Sequence, residues 1–375
     1  MRGTGFIKTL NVTKVNNKKT ILHIIQNFGI GGAETAVVGV LKNLSEYNNI
    51  VVAMDSKNEF GSELKYTKYY SLNLSSYYLF PLAIRKLKKI IKNNNVDLVH
   101  SQLYWSTVLA RFACPKDIPL VTSIQASITS SVEYKKKWIG WLDRFSYRRK
   151  PSTILGVSKH TLDDYFNFLH LKRYANQVLY NYVDTTAFKA TTVTTREADG
   201  QFKLIAVGNL KLQKNHAFLL EAFKLLKGQG ISLDIYGEGA LHDELLKIIN
   251  DNNLPVRLMG IVRNLNDLMQ EYDLFVLASL YEGFSLAVLE GMLMEKPMLL
   301  SDTPTFTEQC GDTAIYFTLN DATALAEKIR SLKNDPEKLR ELAIKAKNRV
   351  LENFTLEHHL KKLRKIYEET LAAKA

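Results

Sequence analysis

The chain has 375 residues, enough for two domains of ordinary size, and 46% of them are hydrophobic, as expected of a globular protein. Its two cysteines, Cys114 and Cys310, exclude a disulfide framework or a cysteine zinc cluster and fit a reducing cytoplasm. No apolar run reaches the ~18–20 residues that a bilayer-spanning helix needs, and we expect no signal peptide because residues 1–20 have no continuous apolar core.

The net charge of +12 is unevenly distributed along the chain. Residues 1–190 contain 27 Lys and Arg against 12 Asp and Glu, whereas residues 191–375 contain 23 against 26. A basic half of this kind suggests a surface that faces a polyanion or an anionic membrane. Nucleic acid ranks last among these partners and we expect none, because the chain has no recognisable nucleic-acid-binding motif and its second half is acidic.

The first half alternates between strand and helix patterns. It begins with an apolar strand at residues 21–25, a turn that contains Gly31 and Gly32, and a helix that extends through Leu41. A strand, a glycine turn and a helix in this order form the unit that lies against a phosphate in Rossmann-like folds. The G-x-G-x-x-G spacing of a dinucleotide site is absent. The alternative is an ordinary tight turn between a strand and a helix. Further strands are predicted at residues 50–53, 96–100, 120–124, 154–158 and 178–181, and helices at residues 82–91, at 138–147 and from Lys159 onward. The alternation indicates a parallel sheet with helices on both faces, in which His100 is either a cleft residue or a core histidine.

A threonine-rich polar stretch at residues 190–200 is the predicted linker to a second half with the same rhythm. We therefore predict an N-terminal domain at residues 1–189, a C-terminal domain at residues 201–355 and a last helix at residues 356–375. Strands of the second half are predicted at residues 204–207, 233–236, 256–259, 274–277, 298–300 and 314–317, and its last helices at residues 322–332, 336–353 and 356–371.

Two glutamates, Glu282 and Glu290, belong to the most informative stretch of the chain. A buried strand leads into a turn at Gly283, and Ser285 or a neighbour is placed to cap the amphipathic helix that follows. The free N–H groups of a helix N-terminus favour a phosphate, and a carboxylate accepts hydrogen bonds from the vicinal hydroxyls of a ribose or a hexose. The stretch therefore predicts a sugar-nucleotide site, with two solvated helix carboxylates as the alternative.

This stretch resembles the Glu-x7-Glu block of the retaining GT-B glycosyltransferases, most closely those of family 4. The resemblance extends over almost the whole chain and is strongest across residues 208–317. It implies an α/β protein with two Rossmann-like parallel-sheet domains facing across a cleft, and a last helix that crosses back to the first domain. It also implies that Glu282 positions the donor hexose and Glu290 the ribose. The residues between them that we expect at the donor are Gly283, Phe284, Ser285 and Leu286.

Lys214 is the cation that the resemblance assigns to the departing diphosphate. Residues 207–216 resemble a family segment in which an Arg follows a glycine, here Gly208, and a Lys comes five residues later. The chain departs from that pattern because Asn209 stands where the Arg is usual, and Asn cannot neutralise a diphosphate. Either Lys211 compensates, or the leaving group is stabilised less.

Other positions match the family less specifically. Gly31 and Gly32 resemble the first family loop, which lines the cleft beneath the donor phosphates. Gln125 stands where the family usually has a His that touches the donor hexose. Gly237 lies in a turn similar to the family's Gly-x-Gly turn near the base pocket, and Arg263 lies in a loop that often touches the base.

The resemblance implies a cytoplasmic retaining glycosyltransferase that moves a hexose or N-acetylhexosamine from a nucleotide-diphosphate sugar, with a UDP-sugar as the expected donor. The acceptor would be lipid-linked or a saccharide, in the synthesis of a cell-envelope polysaccharide such as capsule or exopolysaccharide. The nucleotide sugar is a co-substrate; we expect no cofactor and no metal, because no Asp-x-Asp sequence occurs. The alternative is a non-catalytic sugar-nucleotide-binding protein that acts as the membrane scaffold of a polysaccharide assembly complex.

Basic residues of the first half cluster beside aromatic ones. Such residues suit anionic head groups and the boundary layer of a membrane, so we expect peripheral binding to the inner face of the plasma membrane. The alternative is a pair of solvated helices with buried tryptophans. The residues concerned are Arg85, Lys86, Lys88 and Lys89 on one helix, the three lysines at 135–137 before Trp138, Ile139 and Trp141, and then Arg148, Arg149 and Lys150.

Overall fold

The computed structural model describes residues 18–29, 31–74, 76–129, 131, 133–173, 175–187, 200–262 and 265–373. Arg263 and residues 190–199 of the predicted linker lie outside the described residues.

The first domain is built on a seven-stranded parallel sheet in the order β3-β2-β1-β4-β5-β6-β7. Its strands are β1 Thr20–Ile25, β2 Asn48–Ala53, β3 Lys68–Ser71, β4 Leu98–Gln102, β5 Leu120–Ile124, β6 Thr153–Gly156 and β7 Asn176–Val178. Its helices are α1 Gly32–Asn43, α2 Phe80–Asn93, α3 Tyr104–Ala113, α4 Lys137–Arg149 and α5 Lys159–Leu169.

Two elements of this domain were not predicted. The strand β3 is a four-residue edge strand whose side chains are partly or fully exposed, so it lacks an apolar run. The helix α3 is buried on nearly every side, including Ser106 and Arg111, so it lacks the periodic polar face that identifies a surface helix. The two elements were therefore missed for opposite reasons, since β3 is too exposed to show an apolar run and α3 is too buried to show a polar face.

The second domain is built on a six-stranded parallel sheet in the order β10-β9-β8-β11-β12-β13. Its strands are β8 Phe202–Val207, β9 Ile231–Tyr236, β10 Val256–Gly260, β11 Leu274–Leu277, β12 Met298–Ser301 and β13 Ala314–Phe317. The helices are α6 His216–Lys224, α7 His242–Asp251, α8 Leu265–Met269, α9 Leu286–Leu293, α10 Pro304–Cys310, α11 Ala322–Lys333, α12 Pro336–Asn353 and α13 Leu356–Ala372. The predicted class of two Rossmann-like parallel-sheet domains is confirmed.

The last helix, α13, packs on the first domain although it follows the second in sequence. Leu360, Leu363 and Ile366 are buried in one cluster with Ile21 of β1 and with side chains of α1. The hydroxyl of Tyr367 lies 2.6 Å from Nδ1 of His100, which is 3% exposed at the centre of the first sheet. A residue of the last helix thus completes the polar interior of the first domain.

A buried ion pair joins the three helices α3, α4 and α5. Arg111 and Asp143 are 1% and 2% exposed and bond to each other, and the Tyr165 hydroxyl lies 2.9 Å from both an Arg111 nitrogen and an Asp143 oxygen. Because a buried charge without its partner is costly, these three helices are held in one arrangement.

The basic and aromatic cluster of the first domain is only partly at the surface. Trp138 and Trp141 are 52% and 61% exposed, so the alternative with buried tryptophans is wrong. Two members are interior: Ile139 is buried, and Lys150 donates hydrogen bonds to the carbonyls of Pro115 and Ile118 at 2.9 and 2.7 Å. No helix of the described residues combines the length and the hydrophobicity that a membrane span requires.

Replacing Tyr367 with Phe should lower the free energy of unfolding by about 1–3 kcal/mol, because His100 would keep its buried ring but lose a hydrogen-bond partner. Urea denaturation measures this difference. The matched control is Tyr78→Phe, since Tyr78 is 95% exposed. Equal unfolding midpoints for Tyr367→Phe and the wild type would show that the hydrogen bond does not secure α13.

Candidate active site

The carboxyl ends of the two sheets face each other across a cleft, and Gly283 is one point at which they are in direct contact. A methyl group at Gly283, after β11, would overlap the carbonyl oxygen of Gln125, after β5. Next to this contact the Asn181 amide donates a hydrogen bond of 3.1 Å to the carbonyl of Phe284. Ligands of parallel α/β sheets bind at this edge, so residues of both domains that follow strands converge on one site.

Lys214 and Glu282 form an ion pair on the second domain's side of this cleft. Their Nζ and Oε1 atoms are 2.6 Å apart, and their side chains are 13% and 8% exposed. The Ser279 hydroxyl donates a second hydrogen bond of 2.7 Å to the same carboxylate oxygen. The predicted hexose-positioning carboxylate and the predicted diphosphate cation are therefore direct neighbours.

Glycines make room for this pair. A methyl group at Gly208 would lie 2.8 Å from Cε of Lys214, so the lysine stem rests directly on the Gly208 backbone. Gly237 has φ +142°, and a methyl group there would overlap the carbonyl oxygen of Gly208. The need for glycine at position 237 thus follows from the close approach of two loop backbones.

Glu290 lies in the first turns of α9 and is partly buried. Burial raises the pKa of Glu290 to about 7. Within the described ranges its carboxyl group has neither an ion pair nor a side-chain hydrogen bond, which leaves its oxygens available to a ligand's hydroxyl groups.

Ser285 occupies the N-cap position of α9, but its side chain makes no capping hydrogen bond, so that part of the prediction is wrong. Its N–H donates instead to Oε1 of Gln309 at 3.0 Å, and Nε2 of Gln309 donates to its carbonyl at 2.8 Å. The side chain of Gln309 therefore secures the start of the helix, and the Ser285 hydroxyl does not cap it.

The glycine loop of the first domain lies opposite α9. A methyl group at Gly32 would be 3.8 Å from Leu286. Burial raises the pKa of Glu34, two residues further on, and the positive charge of Lys211 from the second domain opposes that rise. Gly31, Gly32, Leu286 and Lys211 therefore border one cleft, with Lys211 exposed toward the first domain.

The other predicted residues have different surroundings. Phe284 is buried, with its ring 5.0 Å from that of Tyr180, so it belongs to an aromatic cluster between the domains. Asn209 is exposed, and Arg263 lies outside the described residues. The Gln125 amide donates to Gln102 at 3.1 Å.

Gln102 in turn connects the cleft to the interior, because its amide nitrogen is 3.0 Å from Nε2 of His100. Burial lowers the pKa of His100 well below its ordinary value, so the ring is neutral. Of the two alternatives for His100, the core histidine is the one that the structure has.

Two family models match the chain. "Glycosyltransferase Family 4" matches residues 30–187, and "Glycosyl transferases group 1" matches residues 189–349. Solved structures, among them that of a glycosyltransferase from Rickettsia africae, share the two-domain fold over nearly the whole chain. The chain belongs to the GT-B glycosyltransferases.

Relatives of this glycosyltransferase come from several bacteria. The N-acetylgalactosamine-N,N'-diacetylbacillosaminyl-diphospho-undecaprenol 4-alpha-N-acetylgalactosaminyltransferase of Campylobacter jejuni is 28% identical over 293 residues, which are 74% of this chain and 79% of that protein. The putative glycosyltransferase EpsF of Bacillus subtilis is 25% identical over 317 residues, 77% and 81% of the two chains. The structure of Anabaena HepE in complex with UDP superposes with a TM-score of 0.81 at 19% identity, and covers 93% of this chain and 100% of that one.

Sequence reasoning missed several residues of the glycosyltransferase cleft. Ser279 orients Glu282, Gln309 holds Ser285, and Asn181 joins the domains. Ser279 is the first residue of the stretch that contains Glu282 and Glu290 (residues 279–290), and its place three residues before Glu282 could have indicated its role. Gln309 and Asn181 offered none, because their partners are backbone groups that lie 24 and 103 residues away.

Replacing Gly283 with Ala should lower turnover about 10²-fold. The added methyl group would displace the loop that carries Glu282, and a shift of about 1 Å is enough for such a loss. The rate of nucleotide release from a sugar nucleotide measures this. The matched control is Gly140→Ala in α4, where the added methyl would lie 3.4 Å from Phe168.

Turnover of Gly283→Ala equal to that of Gly140→Ala would show that the contact with Gln125 does not set the position of the loop that carries Glu282.

Proposed function

We propose that this glycosyltransferase is a retaining enzyme that moves a hexose or N-acetylhexosamine from a UDP-sugar to a lipid-linked acceptor in cell-envelope polysaccharide synthesis. The observation that carries the proposal is the Lys214–Glu282 pair at 2.6 Å, together with the carboxyl of Glu290 on α9, which has no side-chain partner among the described residues. The proposal is supported by the UDP complex of the HepE structure and by the diphospho-undecaprenol in the name of the Campylobacter relative.

The first task of such an enzyme is to stabilise the departing diphosphate. Negative charge grows on the leaving oxygen as the bond to the anomeric carbon breaks, and a fixed cation at that place lowers the barrier. The Lys214 ammonium has three N–H donors, and one of them is donated to Glu282. The other two can therefore be donated to the phosphates. We infer that Lys211, exposed at the same cleft, supplies the second charge that Asn209 lacks, so that no metal is required.

The second task is the transfer with retention. In the front-face route the acceptor oxygen attacks the anomeric carbon from the side that the diphosphate leaves. The carbon–oxygen bond to the phosphate breaks, and the acceptor proton moves to the departing phosphate oxygen. Glu282 is held by Lys214 and Ser279, and this makes it a positioning carboxylate for the hexose hydroxyls. We therefore infer that it orients the donor and forms no covalent intermediate.

The third element is the membrane. Trp138 and Trp141 expose about half of their surface beside three exposed lysines at residues 135–137. Each basic residue near an anionic bilayer contributes about 1 kcal/mol, and salt screens this contribution. We propose that the enzyme works in the cytoplasm and docks reversibly through this surface on the inner face of the plasma membrane.

The proposal is tested by incubating the purified protein with UDP-sugars and a lipid-linked saccharide acceptor, with detection of released UDP and of the extended lipid. We expect one UDP-sugar to give both products, with the anomeric configuration of the donor retained. Binding of the UDP-sugar without either product would favour the scaffold alternative.

Replacing Lys214 with Ala should lower kcat about 10²–10³-fold, because the leaving group loses a preorganised cation. Steady-state kinetics with the donor measure this change. Lys211→Ala should also lower kcat if Lys211 stands in for the missing Arg. The control is Lys338→Ala, an exposed lysine in the first turn of α12. Wild-type kcat in Lys214→Ala would remove this residue from the chemistry.

Binding of a UDP-sugar at pH 6.5 should release protons. Glu290, with its pKa at about 7, is mostly protonated there, and ribose hydroxyls that donate to the carboxylate favour its ionised form. Calorimetry of UDP-glucose in two buffers of different ionisation enthalpy counts the protons. The release should vanish in Glu290→Gln and decline in the wild type toward pH 8.5, where the carboxyl is already ionised.

The matched control for that experiment is Glu34→Gln, a second cleft carboxyl whose pKa burial raises. It should leave the release in place. Loss of the release in Glu34→Gln together with its survival in Glu290→Gln would place the titrating group on the first domain.

A further inference from the structure

An open apolar groove lies in the first domain, and none of its lining residues is among the cleft residues described above. It holds a volume of ≈ 810 Å³. Helix α3 forms its floor, with Trp105, Val108 and Phe112 on one stripe, and α2 and α4 form its walls through Ile84 and Leu142. We call this feature the aromatic groove.

One end of the aromatic groove lies at the carboxyl edge of the first sheet. Phe80, Trp105 and Trp138 stand in the first turns of α2, α3 and α4, and the ring of Trp105 is 6.0 Å from each of the other two. Helices that follow strands of a parallel sheet begin at its carboxyl edge, which here is the edge that holds Gln125. From Trp105 the floor runs away from the cleft to Phe112, seven residues and about 10 Å further along the helix.

The groove is apolar, preformed and exposed to solvent. Trp138 on its α4 wall is 52% exposed, and Trp141 and Phe145 of the same helix, which are 61% and 48% exposed, extend the apolar surface beside it. A contiguous exposed apolar patch is a mark of a binding surface. The buried Arg111–Asp143 pair lies behind the groove and holds α3 against α4, so the floor and one wall do not depend on a ligand for their arrangement.

The mouth of the groove is positively charged. Lys136 lines it, and Lys135 and Lys137 flank that residue at the N-terminus of α4. Across the ranges that the structure describes, no ion pair involves any of the three. The groove is apolar along its length and has cations at the end near the cleft. It is therefore complementary to an amphiphile with a hydrocarbon chain and an anionic head group, with that head group at the active site.

We propose that the aromatic groove binds the hydrocarbon chain of the lipid-linked acceptor, with the phosphate or diphosphate of that lipid at the lysines of residues 135–137. The inference rests on the proposed transfer to a lipid-linked acceptor and adds the site at which this enzyme holds the lipid. The chain leaves the bilayer along α3 and presents its head group at the carboxyl edge of the first sheet, opposite Gly283.

The tryptophans provide a direct readout. The chain has three: Trp105 and Trp138 line the groove, and Trp141 lies three residues beyond Trp138 on α4. Intrinsic tryptophan fluorescence therefore reports the groove and excludes the donor site.

The test is a titration of the whole protein with farnesyl diphosphate below its micelle concentration, followed by tryptophan emission. We expect a saturable shift of the emission to shorter wavelength. Inorganic diphosphate at the same concentrations should leave the emission unchanged, and farnesol should bind at least tenfold more weakly. Lys136→Glu should weaken binding of farnesyl diphosphate at least tenfold, and Ile84→Glu should abolish the shift.

Matched controls are Lys338→Glu and Ile344→Glu, exposed residues of α12 in the second domain, which should bind farnesyl diphosphate like the wild type. Calorimetry of UDP-glucose on every variant shows whether the donor site is intact. Unchanged emission with farnesyl diphosphate, while UDP-glucose still binds, would overturn the groove assignment and leave the proposed transfer in place; a partner helix would then be the better occupant. Equal affinity for farnesol and farnesyl diphosphate would overturn the assignment of the phosphate to Lys136.

Discussion

A lysine and a glutamate from two separate loops of the second domain share a hydrogen bond at the cleft, and most of the surrounding structure serves that pair. Lys214 and Glu282 are both largely shielded from water, and taking two charges out of water costs several kcal/mol per ion before they attract each other. The pair is tolerable because Ser279 adds a hydrogen bond and because Gly208 lets the lysine stem lie flat. A hydrophobic pair at these positions would fold at least as well, so the charges point to a use other than stability.

The contact between Gly283 and Gln125 fixes the Lys214–Glu282 pair relative to the first domain. A side chain at residue 283 would separate the two carboxyl edges, and the hydrogen bond from Asn181 to Phe284 would lengthen with them. On the far side of Gln125, a chain of hydrogen bonds passes through Gln102 and His100 to Tyr367 on α13. The helix that crosses back therefore supports the same edge of the first sheet that the loop carrying Glu282 contacts.

Much of this architecture could be predicted from the sequence, because the strands of both sheets are short apolar runs separated by helical patterns. The strand and helix around Glu282 and Glu290 were predicted for that reason. Edge strand β3 and buried helix α3 could not be predicted, since β3 has no apolar run and α3 has no polar face. The roles of Phe284 and Lys150 were also beyond reach, because each depends on partners remote in sequence: an aromatic cluster for one and three carbonyl oxygens for the other.

The unequal charge of the two halves also has a physical explanation in the fold. The second half has a slight excess of acidic residues, although its proposed ligand is a dianionic diphosphate. Salt screens exposed charges beyond about 8–10 Å, so a donor responds to the few cations within one Debye length, here Lys214 and Lys211, and not to the net charge of its domain.

A bilayer is different because its charge is spread over an area as wide as the protein, and every exposed basic residue on the facing side contributes. The excess of basic residues is therefore useful in the first half, where α2 and α4 carry it at the surface. Attraction of that face to a bilayer would also orient the molecule, since the lysines of residues 135–137 lie at the start of α4, at the carboxyl edge of the first sheet. A lipid head group attracted to them would arrive at the same edge as Gln125, within the cleft proposed for the donor.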